Sequence, residues 1–200
     1  MALNAQGYFN CLKSYLNTNH YGEVQASDSE VVLKEKGFGH AGSKPITYEV
    51  KLPTRGETLV IKLDTKKNGA TLPLFHFLDD TAKPWSKRCD YVLFNLRKNK
   101  LHVYCLEFKS ESIPQDTPEQ LTASVDWLKA LHATIKAYTN KKSTFHVTKY
   151  VLSNTADPTP YLDADGKYLQ RDHTIRHYRY ADLNGMALAD LDNSNIEVIR

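Results

Sequence analysis

The sequence predicts a mixed α/β fold, one sheet with helices packed on it, in the order helix, strand meander, helix, strand. Three observations predict it. Residues 89 to 96 (CDYVLFNL) and 101 to 109 (LHVYCLEFK) are apolar on both faces, as central buried strands are. Leu121, Val125, Leu128, Leu131 and Ile135 repeat at helical spacing. Residues 145 to 152 (FHVTKYVL) then return to strand character.

Taken in order, residues 2 to 17 read as a helix. Tyr8, Phe9, Cys11, Leu12, Tyr15 and Leu16 fall in one arc, and Asn17, Asn19 and Gly22 stop it. Ser27 to Lys36 reads as a second short helix, with Ser27 as N-cap and Glu30 completing a capping box. Residues 37 to 45 are a loop. Residues 46 to 52 and 58 to 63 read as strands joined through Pro53 and Gly56, and 72 to 78 as an edge strand demoted by Pro73. The two central strands follow, joined by a polar hairpin turn. Thr117 to Tyr138 is the long helix, with Thr117 as N-cap, Pro118 at the first helical position and Gln120 closing a capping box. Asp157-Pro158 and Asp165-Gly166 mark turns, and 174 to 180 reads as a strand. No repeat or linker interrupts this order. The expectation is one domain over residues 1 to 200. Its core spans about 46 to 152, with an N-terminal helical region (1 to 36) and a C-terminal strand and turn extension (153 to 200).

Composition narrows the function little. The chain is 41% hydrophobic and 24% charged, which excludes a wholly disordered or collagen-like protein. Cys11, Cys89 and Cys105 form no CxxC pair and their number is odd, which speaks against a disulfide framework or a cysteine zinc site. No apolar run reaches membrane-spanning length and Met1 to Phe9 lacks a signal-peptide pattern, so a cytoplasmic protein is expected. The net charge of +3 is too small to announce nucleic acid. Local clusters matter more: Lys66-Lys67, Lys83 with Lys87-Arg88, and Arg97-Lys98 with Lys100 flank the central strands, where a phosphate-facing surface is expected.

The chemistry centres on Glu107-Phe108-Lys109. Acidic-x-Lys is a weak signal, and it also occurs at Glu49, Asp64 and Asp165. Register selects among them. If Lys98 and Asn99 are the two turn residues, Asp90 lies directly across from Glu107, and Lys109 shares their face. Glu49 would face an apolar position in a hairpin centred near Arg55, and Asp165 falls in a turn. Two carboxylates placed opposite each other repel. Lys109 offsets part of that repulsion, and a hard divalent cation would offset the rest. Such an ion polarises a phosphoryl oxygen and acidifies bound water. A lysine can orient that water or stabilise charge on the phosphate. These are the parts that hydrolyse a phosphodiester.

Asp90 near the start of one strand, with Glu107-Phe108-Lys109 at the end of the next, resembles the PD-(D/E)XK nuclease superfamily, across roughly residues 72 to 152. One departure is that Cys89, not proline, precedes Asp90. The resemblance implies a restriction-endonuclease-like core. Asp90, Glu107 and the Phe108 carbonyl would be ligands of Mg²⁺ or Mn²⁺, and Lys109 would assist the water. It also implies DNA as substrate, a homodimer or a partner protein, and a setting in defence or recombination. Gln120 matches a glutamine that several branches carry at the start of the helix after the lysine strand; simple capping is the other reading, and the two roles can coexist. A further glutamate from the first helical region is common in the family, and Glu23 and Glu30 are the candidates. Two competing readings are a nuclease-like module that binds nucleic acid or protein without cutting, and a structural ion cluster in which Asp90 and Glu107 share Lys109 and Arg88.

Other motifs carry less. Gly37 to Gly42 matches GxGxxG, but no clear strand precedes it and no helix follows. His173 and His177 have ligand spacing without an evident third ligand; with Arg176, Tyr178, Arg179 and Tyr180 they suggest a minor nucleic-acid contact. Asp163 to Gly166 fails the spacing of a calcium loop.

Overall fold

The computed structural model describes residues 4–24, 29–37, 46–67, 70–75, 77–79, 83–141 and 143–200. Its elements are, in order, α1 (Ala5–Tyr15), β1 (Gly22–Val24), β2 (Glu30–Gly37), β3 (Ile46–Pro53), β4 (Glu57–Lys62), the short β5 (Lys66–Lys67) and β6 (Ala70–Thr71), β7 (Tyr91–Arg97), β8 (Lys100–Lys109), α2 (Thr117–Thr139), β9 (Phe145–Ser153), β10 (Tyr168–Leu169), β11 (Asp172–Arg179), α3 (Tyr180–Leu183) and β12 (Glu197–Ile199). It is a mixed α/β fold. The main sheet runs β1-β4-β7-β8-β9-β11-β10, and β12 pairs with β9. The pairs β1–β4, β4–β7 and β7–β8 are antiparallel, whereas β8–β9 and β9–β11 are parallel. The parallel step from β8 to β9 needs a crossover, and α2 supplies it.

Period-two alternation in the central strands separates two cores. Val92, Phe94, Val103, Cys105, Val147 and Val151 face the helices, where Tyr8, Phe9 and Leu12 of α1 and Leu121, Val125 and Leu128 of α2 cover them. Leu93, Tyr104, Leu106, Phe108, Tyr150 and Leu152 face the other way. Val31 and Leu33 of β2, Val50 and Leu52 of β3, and Leu183 of α3 cover them there. The sheet is thus the middle of three layers, which explains why its central strands lack a polar face.

Three of the sequence expectations are corrected. Residues 30 to 37 form a strand, not the C-terminal part of a helix. Val31 and Leu33 both have to be buried against the second core, and alternation puts them on one side of a strand. The local capping pattern does not outweigh that burial; Ser27, its proposed cap, lies outside the described residues. Strand β3 pairs with β2 in a separate two-stranded sheet, so Glu49 faces Lys34, and β3 and β4 are not hairpin partners. Residues 72 to 78 contain no strand among those described. Their carbonyls are used elsewhere: Pro73 O bonds His20 Nε2 at 2.7 Å, and Leu74 O accepts from Tyr21 Oη at 2.7 Å. Most of the GxGxxG segment, residues 38 to 45, lies outside the described residues.

The β7–β8 hairpin keeps its predicted register: Tyr91 pairs with Leu106 and Arg97 with Lys100. Lys98 and Asn99 take φ of 50° and 56°, the left-handed pair of a type I′ turn. A lysine is poorly suited to that conformation. Replacing Lys98-Asn99 by Asn-Gly is expected to raise stability by ~1 kcal/mol, read as a higher urea midpoint at unchanged slope. This turn lies at the end of the strands far from Asp90. The Arg97, Lys98 and Lys100 cluster therefore does not flank the carboxylates, as the sequence had suggested.

Candidate active site

At the opposite end of the hairpin the ladder stops at Tyr91, and side chains take over. The Asp90 N–H donates to Glu107 Oε2 at 3.1 Å, and the Phe108 N–H donates to Asp90 Oδ2 at 2.7 Å. Each carboxylate thus bonds the backbone of the other strand. The expected juxtaposition of Asp90 and Glu107 is present. Lys109 Nζ donates to Glu107 Oε1 at 2.5 Å and to Gln120 Oε1 at 2.9 Å.

Of the two roles read for Gln120, the structure forms the contact with Lys109 and not the cap. Helix α2 begins at Thr117 with Asp116 as cap residue and no side-chain capping bond. The capping box expected from Thr117 and Gln120 is therefore not formed, and the amide holds the lysine. Gln120 can do so because α2 is tied to the strand entering the site. The Cys89 N–H donates to Ser124 Oγ at 2.7 Å, and Ser124 Oγ donates to Gln120 O at 2.9 Å. Ser124 is fully buried. The sequence offered no sign of this role beyond a serine on the apolar side of a helix. Bonds to main-chain carbonyls brace the other side: the Leu63 N–H donates to Asp90 O, and the Tyr180 hydroxyl donates to Lys109 O.

Electrostatics single out the carboxylate pair. Burial, reinforced by the charge of Glu35, pushes Asp90 up to about 7, against the pull of the Phe108 N–H, Lys109 and Lys62. Glu107, only 3% exposed, is pushed well above the usual carboxylate range by burial and by Asp90, and Lys109 opposes the shift. Glu35 sits on β2, and its carboxylate accepts from Lys62 Nζ at 2.8 Å. The sequence reading missed Glu35 because it placed residues 27 to 36 on a helix. Its own candidates lie elsewhere: Glu23 is exposed opposite Ile61, and Glu30 begins β2 opposite Pro53.

A cleft of about 620 Å³ opens at this end of the sheet, with Asp90, Gln120, Asp64, Lys87 and Arg88 among its walls. Asp64 had been set aside as a rival motif; the antiparallel pairing of β4 with β7 brings it to the same cleft. Lys87 is bound to Glu119, and also lies 3.6 Å from Asp116. Arg88 donates to the carbonyls of Ser86 and Leu72. Of the histidine pair, His177 bonds Ser153 Oγ at 2.8 Å and is buried, whereas the side chain of His173 is 68% exposed.

The donor set fits a hard divalent cation of the kind that keeps most of its waters. No group of three or more His, Cys, Asp or Glu side chains among the described residues is arranged to hold an ion. A Mg²⁺ site, however, needs only one or two carboxylates, other oxygens and water. Asp90 Oδ2 is engaged by the Phe108 N–H, and no hydrogen bond from a described residue engages Oδ1. The Phe108 C=O leaves β8 on the same edge as its N–H, toward Asp90 and past the last β7 pair. Two neighbouring carboxylates held above their usual range, with one lysine bonded to Glu107 alone, lack compensation that a cation would supply.

Set against protein-family models, curated proteins and solved structures, the chain matches none of them. No described helix is long and apolar enough to cross a membrane.

Proposed function

We propose that this protein is a metal-dependent phosphodiesterase, and more particularly a DNA endonuclease with a core like that of the restriction endonucleases. The observation that carries the reading is the pairing of buried Glu107 with Asp90, which is half-buried in the wall of the cleft, and of Lys109 with both Glu107 and Gln120. The order α1, antiparallel β4-β7-β8, α2 and parallel β9 agrees with such a core. DNA as substrate, and a role in defence or recombination, rest on the resemblance of the motif.

Asp90, Glu107 and the Phe108 carbonyl would hold Mg²⁺ or Mn²⁺. The ion would supply Lewis-acid polarisation of the phosphate and a more acidic bound water. Lys109 lies beside Glu107 and would hold the attacking water and stabilise charge on the phosphoryl oxygens. Gln120 fixes the ammonium on the side away from Glu107. Burial of Glu107 keeps bulk water from screening the pair.

The direct test is cleavage of linear, circular and single-stranded DNA with Mg²⁺, Mn²⁺ or EDTA. Cutting that needs the metal supports the reading; no cutting of any substrate with either metal overturns it. Gln120→Ala is expected to lower kcat ~10-fold with little change in KM, because Lys109 loses orientation and substrate contacts stay. An equal fall in kcat/KM through KM alone would show Gln120 to be a substrate contact.

A further inference from the structure

A second group of side chains stands on the same sheet, two strands from Lys109. The registers are continuous: Lys109 pairs with Ser153, and Ser153 with Arg179. In-register residues of neighbouring strands share a face, and strands lie ~4.8 Å apart, so the Arg179 backbone is ~10 Å from that of Lys109. Past the end of β10 the edge of β11 opens into a cavity of about 440 Å³, with Arg176, Arg179, Thr159 and Asp163 among its walls.

Arg176 is prepared in an unusual way. Its guanidinium carbon lies 5.4 Å from the ring centroid of Tyr168 and 5.1 Å from that of Tyr178, so two aromatic rings fix the group. Its Nε is buried without a hydrogen-bond partner. No described residue accepts from the rest of the guanidinium either. The nearby acid does not bond it: Asp163 Oδ1 accepts from the N–H groups of Lys167 and Tyr168 at 2.8 and 3.2 Å. Asp163 and Asp182, both at the cavity, offset part of the positive charge of the two arginines. Arg179 makes one long bond, at 3.3 Å, to the Ala156 carbonyl. Arg176 and Arg179 leave β11 on opposite faces, yet both line the cavity at its edge, and a guanidinium there without an acceptor is chemistry for an oxyanion, which a phosphate suits best.

We propose that Arg176 and Arg179 form a phosphate-binding subsite that grips the DNA strand on one side of the bond to be cut. The inference rests on the nuclease reading of the Asp90–Glu107–Lys109 site. Successive phosphates rise ~3.4 Å along the duplex axis but lie ~6–7 Å apart along the winding strand, so a ~10 Å offset corresponds to one or two nucleotides. The row Lys109–Ser153–Arg179 then lies along the path of the strand, and the cleavage chemistry at Asp90 is separate from the grip at β11.

The test is equilibrium binding of a short fluorescein-labelled DNA duplex, by anisotropy over a range of salt with Ca²⁺ as divalent ion, for wild type, Arg176→Gln and Arg179→Gln. Arg179 is exposed, so its variant reports on the subsite even if Arg176→Gln does not fold. Each variant is expected to bind ~3- to 10-fold more weakly, with a log–log salt slope shallower by ~1. Metal-dependent cutting by wild type, with affinity and slope unchanged in both variants, would overturn the subsite and leave the nuclease reading intact. Unchanged DNA binding while inorganic phosphate raises the melting temperature of wild type but not of Arg179→Gln would assign the cavity to a free oxyanion instead. A wild type that neither binds nor cuts DNA would remove both.

Discussion

Lys109→Ala is expected to reduce metal-dependent DNA cleavage by ~10²- to 10³-fold, the range for loss of one group that stabilises transition-state charge or manages a proton. The loss should fall in kcat, because in the proposed reaction Lys109 acts on the water and the phosphate undergoing reaction. The variant should stay folded. Removing the lysine leaves Glu107 beside Asp90 without its nearest cation. Glu107, already pushed toward the protonated form, can then take up a proton instead of forcing the hairpin apart. Circular dichroism and a melting curve alongside the rate measurement check this. Wild-type cleavage in a folded Lys109→Ala protein would remove Lys109 from the mechanism. A variant that fails to fold would favour the structural ion cluster, which treats the same contact as scaffold.

The second large effect concerns metal and pH together. In the metal-free protein Asp90 titrates at about 7, and Glu107 is raised also. The ordinary carboxylate pKa is ~4. Between these limits the native state holds protons that the unfolded chain has released, so stability falls as pH rises from ~4 through ~7. A divalent ion that binds only the ionised pair reverses the trend. At pH 8, Mg²⁺ at a hundredfold excess over its Kd should add ~2.7 kcal/mol. For a chain of this size that is a rise in Tm of ~5–10 °C. At pH 5 the same Mg²⁺ should do little. Glu107→Gln should lose the Mg²⁺ response, flatten the fall with pH, and melt above the metal-free wild type at pH 8. A wild-type Tm indifferent to Mg²⁺ and Mn²⁺ at pH 8 would count against a metal site at these carboxylates.

How much of this was legible in the sequence can be argued residue by residue. The β7–β8 hairpin is local: a two-residue turn fixes its register, so Asp90, Glu107 and Lys109 could be brought together by counting from Lys98 and Asn99. Helix α2 was legible because its apolar repeat is long and buried on one side. Strands β7 and β8 announced themselves by lacking a polar face.

Contacts between elements distant in sequence were not legible. Residues 30 to 37 hold only Val31 and Leu33 as core-directing apolar side chains, too few for period to outvote a capping pattern; the layer of the second core made them a strand. That decision carries Glu35 close enough to act on Asp90. Asp64 reaches the cleft because β4 pairs with β7, a choice among strands that alternation cannot encode. Gln120 could be suspected from the sequence, but whether its amide capped α2 or held Lys109 depended on how the helix docks through Ser124. The row from Lys109 to Arg179 exists only because β9 lies parallel between β8 and β11. The chain's own pattern determined the hairpin, the helix and the juxtaposition of Asp90, Glu107 and Lys109, because turn geometry and periodicity act over a few residues. Their surroundings were decided by tertiary packing, because each apolar face is satisfied by any complementary partner and only the assembled layers select one.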